Sequence, residues 1–227
     1  AMKNSNLALL SYLASNAKEG KSIPSIAQLS NDLGLSTSSV REQLEVARQL
    51  ELVEVKTKTG IQTSTFSAAP AICLAYRFGL ELQPDIIWDL LSVRQHLELS
   101  YWQEALGNLT KKDVAYLAEI VESAFMKIES RPVIIPVEEH KEFHLSIYRP
   151  LNNNFLNSIL ESYWNINEET GKSILTDKTD LLNIWTYHRK IQQAIATKEY
   201  DLGYQALMTH FEILKIQKKA ELKQRFE

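Results

Sequence analysis

After Ser67-Ala68-Ala69-Pro70 this chain carries only the helical hydrophobic period, and that shift limits it to a small mixed front and a larger helical back. Ahead of the change, short helical stripes give way to two β-rich runs, Leu52–Lys56 and Ile61–Phe66, separated by Thr57-Lys58-Thr59-Gly60. Behind it, four Gly and four Pro are spread over 157 residues, mostly at or between the ends of segments that carry only the helical period. The pattern predicts helices over 71–79, 84–107, 111–129, 136–149, 154–168, 178–197 and 200–224. At 227 residues the chain has room for a small domain plus a larger one.

The front resolves further. After the capping candidates Asn4 and Ser5, Leu7, Leu10, Tyr12, Leu13 and Ala14 form a helical stripe that Gly20 closes, and Pro24-Ser25 opens a second short helix carrying Ile26, Leu29 and Leu33. Gly34 ends that helix, and Ser36-Thr37-Ser38-Ser39 starts a third whose apolar face is Val40, Leu44, Ala47 and Leu50. Helix, tight Gly turn, helix is the spacing of a helix-turn-helix, and a hairpin turning at Gly60 is its wing. The expected fold is therefore mainly α: a winged helix-turn-helix over 1–67, a linker and connecting helix over 68–83, and an all-helical bundle over 84–227.

Charge agrees with this division. The whole chain is net −3, unfavourable for a general nucleic-acid coat protein. Up to Pro70, however, there are seven Lys/Arg and six Asp/Glu, leaving eighteen and twenty-two for the rest, so the front is faintly basic and the back acidic. The single cysteine, Cys73, cannot form an intramolecular disulfide or a thiolate metal cage, which suits a reducing, cytoplasmic setting. No apolar run approaches 18 residues and no signal-peptide layout opens the chain, so neither membrane insertion nor export is expected.

A duplex is read by a helix N-terminus that enters the major groove with short polar side chains and an arginine. Thr37, Ser38, Ser39 and Arg41 lie on such a turn, where exposed N–H groups also favour phosphate; a helix cap and a solvated charge explain the same residues. The order Ile23-Pro24-Ser25, Leu29, Leu33-Gly34-Leu35-Ser36, Val40-Arg41-Glu42-Gln43-Leu44 and Gly60 resembles the N-terminal domain of GntR-family transcription regulators. The resemblance implies contacts to double-stranded operator DNA from Ser25, Ser36, Thr37, Ser38, Ser39, Arg41, Lys56, Lys58 and Gly60. Two of the family's usual DNA-touching arginines are absent here, because Ile26-Ala27 and Thr37-Ser38-Ser39 stand in their places. Each lost phosphate contact removes about one unit of the log–log salt slope, so weaker binding is expected.

Four of the five histidines lie in the last 90 residues. His140 and His144 are four apart and share a helix face, the spacing of a divalent-metal chelate, while His188 and His210 fall on two later helices among apolar neighbours. Core histidines satisfied by ordinary hydrogen bonds fit the same pattern. The string Phe143-His144-Leu145-Ser146-Ile147 with Asn153, Phe155 and Leu156, then His188, Ile191, Ala194-Ile195, Ala206 and His210, resembles the effector-binding domain of the FadR-type (FCD) branch of GntR regulators. In that branch one Asp and three His hold a divalent metal, and small carboxylates bind at or beside it. By position His144, His188 and His210 match the three histidines, and His140 stands where the family has its Asp. Four neutral imidazoles favour a transition metal, Zn or Ni foremost, over Mg or Ca. The site is then either a closed tetrahedral zinc or one that keeps positions open for a ligand.

Arg94, in Arg-x2-Leu-Glu, resembles an element on the first helix of the same domain, which implies pairing with an effector carboxylate; a surface Arg94–Glu98 pair is the alternative. Asn153 is a candidate effector contact or the cap of the helix that follows, and Trp88, Trp102, Trp164 and Trp185 are packing residues of which one could line the pocket. Catalysis is not expected: Lys141 occupies the position where a His-Glu-x-x-His hydrolase carries its base. The expected role is a metabolite-responsive, homodimeric bacterial transcription regulator sensing a small organic acid, the alternative being a metal or metabolite sensor that acts through protein contacts with weak or lost DNA binding.

Overall fold

A computed structural model describes residues 8–18, 22–56, 60–169 and 177–226, the last ten by backbone alone. It divides into two compact units, residues 1–74 and 75–227, a boundary that falls inside the 68–83 stretch. Asn4, Ser5 and Gly20, expected at the ends of the first helix, and Thr57, Lys58 and Thr59 of the wing lie outside the described residues.

In the first unit, α1 (Ala8–Lys18), α2 (Ile26–Leu33) and α3 (Thr37–Gln49) are followed by β1 (Val53–Lys56) and β2 (Gly60–Thr63). Ser25 caps α2 in a reciprocal box with Gln28, which fixes where the helix begins. Gly34, at φ 62°, ends it in the left-handed region, and Leu35 N–H reaches back to Ser30 O, so the turn into α3 is tight. Ser36 then caps α3 by accepting from Ser39 N. Leu9, Leu13, Leu29, Val40, Leu44 and Ala47 meet in one core with Val53 and Ile61 of the antiparallel hairpin, whose register pairs Val53 with Thr63 and Lys56 with Gly60. This is the expected winged helix-turn-helix.

α4 (Ala69–Leu82) is longer than its expected 71–79. Pro70 sits in its first turn, where a missing N–H costs nothing, so the helix begins before the proline rather than after it. The second unit then holds α5 (Ile87–Ser100), α6 (Trp102–Asn108), α7 (Lys111–Glu129), α8 (Val137–Tyr148), α9 (Asn154–Glu169), α10 (Lys178–Thr197) and α11 (Tyr200–Phe226). The single helix expected over 84–107 is two, broken at Tyr101 and preceded by a 3-10 turn over Pro84–Ile86. The break lets Trp102 turn fully inward: its Nε1 donates to Tyr200 O on α11, and its ring lies against Gly203, where any Cβ would approach it to 2.8 Å. Among the described residues no helix is long and apolar enough to cross a membrane.

Candidate metal centre and DNA-reading helix

Four helices of the second unit each turn polar groups inward. α8 presents His140 and His144 one helical turn apart, α10 presents His188 and α11 His210, and the ligand atoms of the four rings all lie within 4.8 Å of one another. His144, His188 and His210 are fully buried, and His140 packs against His188 at a ring separation of 4.7 Å, so all four expected residues face one point. α5 contributes a buried stripe of Arg94, Gln95 and Glu98 beside them.

The hydrogen bonds assign the tautomers. His144 Nδ1 lies 2.7 Å from Glu98 Oε2, and His188 Nδ1 lies 3.0 Å from Ile184 O. Both partners only accept, so both Nδ1 atoms carry the proton and both Nε2 atoms present lone pairs. Those two Nε2 atoms face each other at 3.2 Å. Burial holds His144 below the ordinary imidazole range and His188 and His210 well below it, so protonation does not relieve the opposition. Both ring nitrogens of buried His210 lack a hydrogen-bond partner. A divalent ion does relieve it: ligands at 2.0–2.1 Å in a tetrahedron stand about 3.3 Å apart, close to the separation seen. The donor set therefore fits a transition metal.

Arg94 is neither a surface pair nor a free cavity group. Its Nε donates to Glu98 Oε1 at 2.7 Å, in an ion pair whose two side chains are 1% exposed. The guanidinium carbon sits 4.5 Å from the Tyr163 ring centre, 4.4 Å from Trp164 and 5.2 Å from Phe211, while Nη1 and Nη2 have no hydrogen-bond partner. Trp164 Nε1 is likewise buried and unpartnered. Burial pushes the Glu98 carboxyl up, but His144 and Arg94 outweigh it and hold Glu98 below the usual carboxylate range. Tyr148 completes the support by donating its hydroxyl to Glu98 O at 2.8 Å. Arg94 Nη1 and Nη2 and Trp164 Nε1 are thus unsatisfied N–H donors, which suit an oxygen-rich anion, while buried Gln95 Oε1 is an unsatisfied acceptor on the same stripe as Arg94.

Sequence reasoning named the histidines and Arg94 but gave Glu98 only the role of a surface partner and left Trp164 among the packing residues. The i, i+4 spacing of Arg94 and Glu98 was the available signal; what it lacked was that the pair points inward. Asn153 lies at the start of α9, its Oδ1 accepting from Leu156 N at 3.1 Å, so that oxygen serves the cap. Glu142 points away into contacts with Arg149, Ser146 and Tyr116.

In the first unit, Thr37, Ser38 and Arg41 are exposed on the opening turn of α3, with Ser39 half-buried. Ser25 and Ser36 have their oxygens committed to caps. Arg48 is held by Glu45 through two bonds and Lys56 by Glu54 at 2.9 Å, whereas among the described residues no ion pair ties Arg41. Gly60 is exposed at the turn end of the hairpin, and Lys58 is outside the described residues.

Residues 89–213 match the family model described as the FCD domain. The chain is 25% identical over 204 residues to the Uxu operon regulator of Haemophilus influenzae, an alignment that spans 87% of this chain and 73% of that protein. It is 23% identical over 200 residues to the HTH-type transcriptional regulator LutR of Bacillus subtilis, spanning 85% and 89%. Among solved structures it is similar to Streptococcus agalactiae GntR, with a TM-score of 0.66 at 19% identity over 95% of this chain and all of that one. E. coli McbR/YncC aligns over the full length of both chains with a TM-score of 0.50 at 20% identity. At these identities the structural likeness concerns the fold.

Proposed function

Since this chain belongs to the FCD-domain branch of the GntR-family transcription regulators, we propose that it reads operator DNA as a homodimer and senses a small organic acid at a metal held by His140, His144, His188 and His210. The observation that carries the sensing half is the opposed pair of Nε2 lone pairs, 3.2 Å apart, beside the unpartnered guanidinium nitrogens of Arg94. A bound divalent ion, Zn or Ni by the chemistry of four imidazoles, would supply positive charge beside Arg94, and one with more than four coordination positions would also take an effector oxygen. Arg94 takes the carboxylate through its two free Nη groups, and Trp164 Nε1 donates to a further oxygen. The ring stack of Tyr163, Trp164 and Phe211 keeps water from the guanidinium.

The DNA-reading half rests on the exposed first turn of α3, with Thr37, Ser38, Ser39 and Arg41 toward base edges and phosphates and Lys56, Lys58 and Gly60 on the flanking wing. In this reading residues 1–67 read DNA, 68–83 connect, and 84–227 sense and dimerise. Two recognition helices then meet a near-palindrome one helical turn apart. The effector acts by binding the DNA-free and DNA-bound arrangements unequally, the 68–83 connection re-spacing the two readers.

Elemental analysis of protein purified without a histidine tag, paired with gel-shift on the DNA upstream of its own gene in the presence of small carboxylates, tests both halves. The combined His144→Ala and His188→Ala variant is expected to lose stoichiometric metal; unchanged content sinks the site. A second reading, a sensor working through protein contacts, is favoured by the near-neutral charge of the first 70 residues and the missing arginines. It predicts full metal content with no gel-shift even at low salt.

A further inference from the structure

We infer that Glu98 is the positioning residue of the metal site, acting as a proton-tautomer clamp that ties the anion-binding Arg94 to the metal-binding His144. This deepens the metal reading above and rests on it. The geometry is a continuous buried chain: Arg94 Nε donates to Oε1 at 2.7 Å, and His144 Nδ1 donates to Oε2 at 2.7 Å. One carboxylate thereby receives both N–H groups, and neither neighbour can accept in return from the atom it offers. Because its second oxygen is an acceptor, His144 keeps its proton on Nδ1 and its lone pair on Nε2, toward His188 and the shared centre. Because its first oxygen takes Nε, the guanidinium is pinned with Nη1 and Nη2 left for a ligand.

The clamp makes a prediction that a merely space-filling or charge-balancing residue does not. In Glu98→Gln the side chain keeps its shape but carries one acceptor and one donor. Arg94 cannot accept, so the amide oxygen must face Arg94 and the amide NH2 must face His144. That NH2 donates only to a bare Nδ1, which moves the His144 proton to Nε2 and removes the metal-binding lone pair. Deleting the arginine frees the amide to turn around, so Arg94→Met added to Glu98→Gln restores an acceptor to His144.

The test combines histidine 15N NMR of the metal-free protein with Zn2+ and Ni2+ affinities. In wild type His144 is expected as the Nδ1–H tautomer and in Glu98→Gln as Nε2–H, with metal affinity lowered about 10- to 100-fold, the usual cost of losing an outer-sphere partner. The doubly substituted Arg94→Met/Glu98→Gln chain should regain most of that loss. His144 remaining Nδ1–H in Glu98→Gln, or a double variant binding no tighter than the single one, overturns the inference. If Glu98→Gln does not fold, comparing Arg94→Met/Glu98→Gln with Arg94→Met/Glu98→Leu decides. The two share an uncharged interior and differ in the acceptor at 98, so equal affinities overturn the clamp and about tenfold tighter binding by the glutamine form supports it. Wild type binding neither metal removes the metal reading, while the tautomer measurement still decides what Glu98 does.

Discussion

His144 Nε2 and His188 Nε2 face each other across 3.2 Å, each with its ring's other nitrogen committed to an acceptor, Glu98 and Ile184 O respectively. Two neutral imidazoles so arranged repel through their lone pairs until a cation lies between them. His140 is the least buried member of the four, and the FCD resemblance implies an Asp at its position. His140→Asp should therefore retain a metal but move selectivity from Zn2+ and Ni2+ toward oxygen-preferring Mn2+. Competition calorimetry reads this; an unchanged order of preference would remove His140 from the ligand set.

Arg94 offers a planar fork that lysine cannot reproduce. Arg94→Lys should weaken carboxylate binding by about 1.5–3 kcal/mol, roughly 10- to 100-fold in Kd, through the lost charged hydrogen bonds. A thermal-shift titration with the carboxylate found active on wild type measures it. Equal response from both proteins would place the effector elsewhere.

Trp164, whose ring centre lies 4.4 Å from the Arg94 guanidinium carbon, tests the same site. Trp164→Phe preserves an aromatic ring over the guanidinium but deletes the unpartnered Nε1–H. Effector affinity should fall about 10-fold, while the effector-free protein loses little or no stability, since an unsatisfied buried donor is removed. A large drop in effector-free stability with unchanged affinity would make the ring a packing group alone.

The buried histidines impose a pH dependence. Their folded-state pKa values are depressed by burial, so as pH falls below the ordinary imidazole value of about 6.5 the unfolded chain takes up protons first. Metal-free protein should hold full stability above that pH and lose up to about 1.4 kcal/mol per pH unit for each of His144, His188 and His210 below it. Denaturant midpoints between pH 8 and pH 5 give the profile, and a flat one contradicts three neutral buried rings.

Arg41 is the α3 cation left untied, so Arg41→Gln should weaken operator binding and lower the log–log salt slope by about one. Gel-shift across a salt series measures both. A lost preference for operator over unrelated DNA with the slope intact would instead assign Arg41 to base reading.

The fold was largely legible because its signals are local. Ser25, Gly34 and Ser36 mark helix ends through their own backbone and side-chain chemistry, and the expected bounds of α7 and α10 match the observed Lys111–Glu129 and Lys178–Thr197. The break at Tyr101 was not legible, because its cause is Trp102 meeting Gly203 about a hundred residues later. The site divides the same way. His140 and His144 announce a shared face by spacing, whereas Arg94 and Glu98 present the same i, i+4 interval whether they face water or the interior. Only the packing of Tyr163, Trp164 and Phe211 over the guanidinium separates the two.

The unpartnered nitrogens of Arg94, Trp164 and His210 lie inside the bundle, where each such group costs about 1–3 kcal/mol against a domain stability of about 5–15 kcal/mol. A protein with that interior is at its sturdiest when loaded: a ligand at a hundred times its Kd adds about 2.7 kcal/mol. Differences of that size change how long a protein survives cellular proteases. On the proposed reading, the number of regulator molecules in the cell, and not only the state of each one, would follow the supply of what they bind.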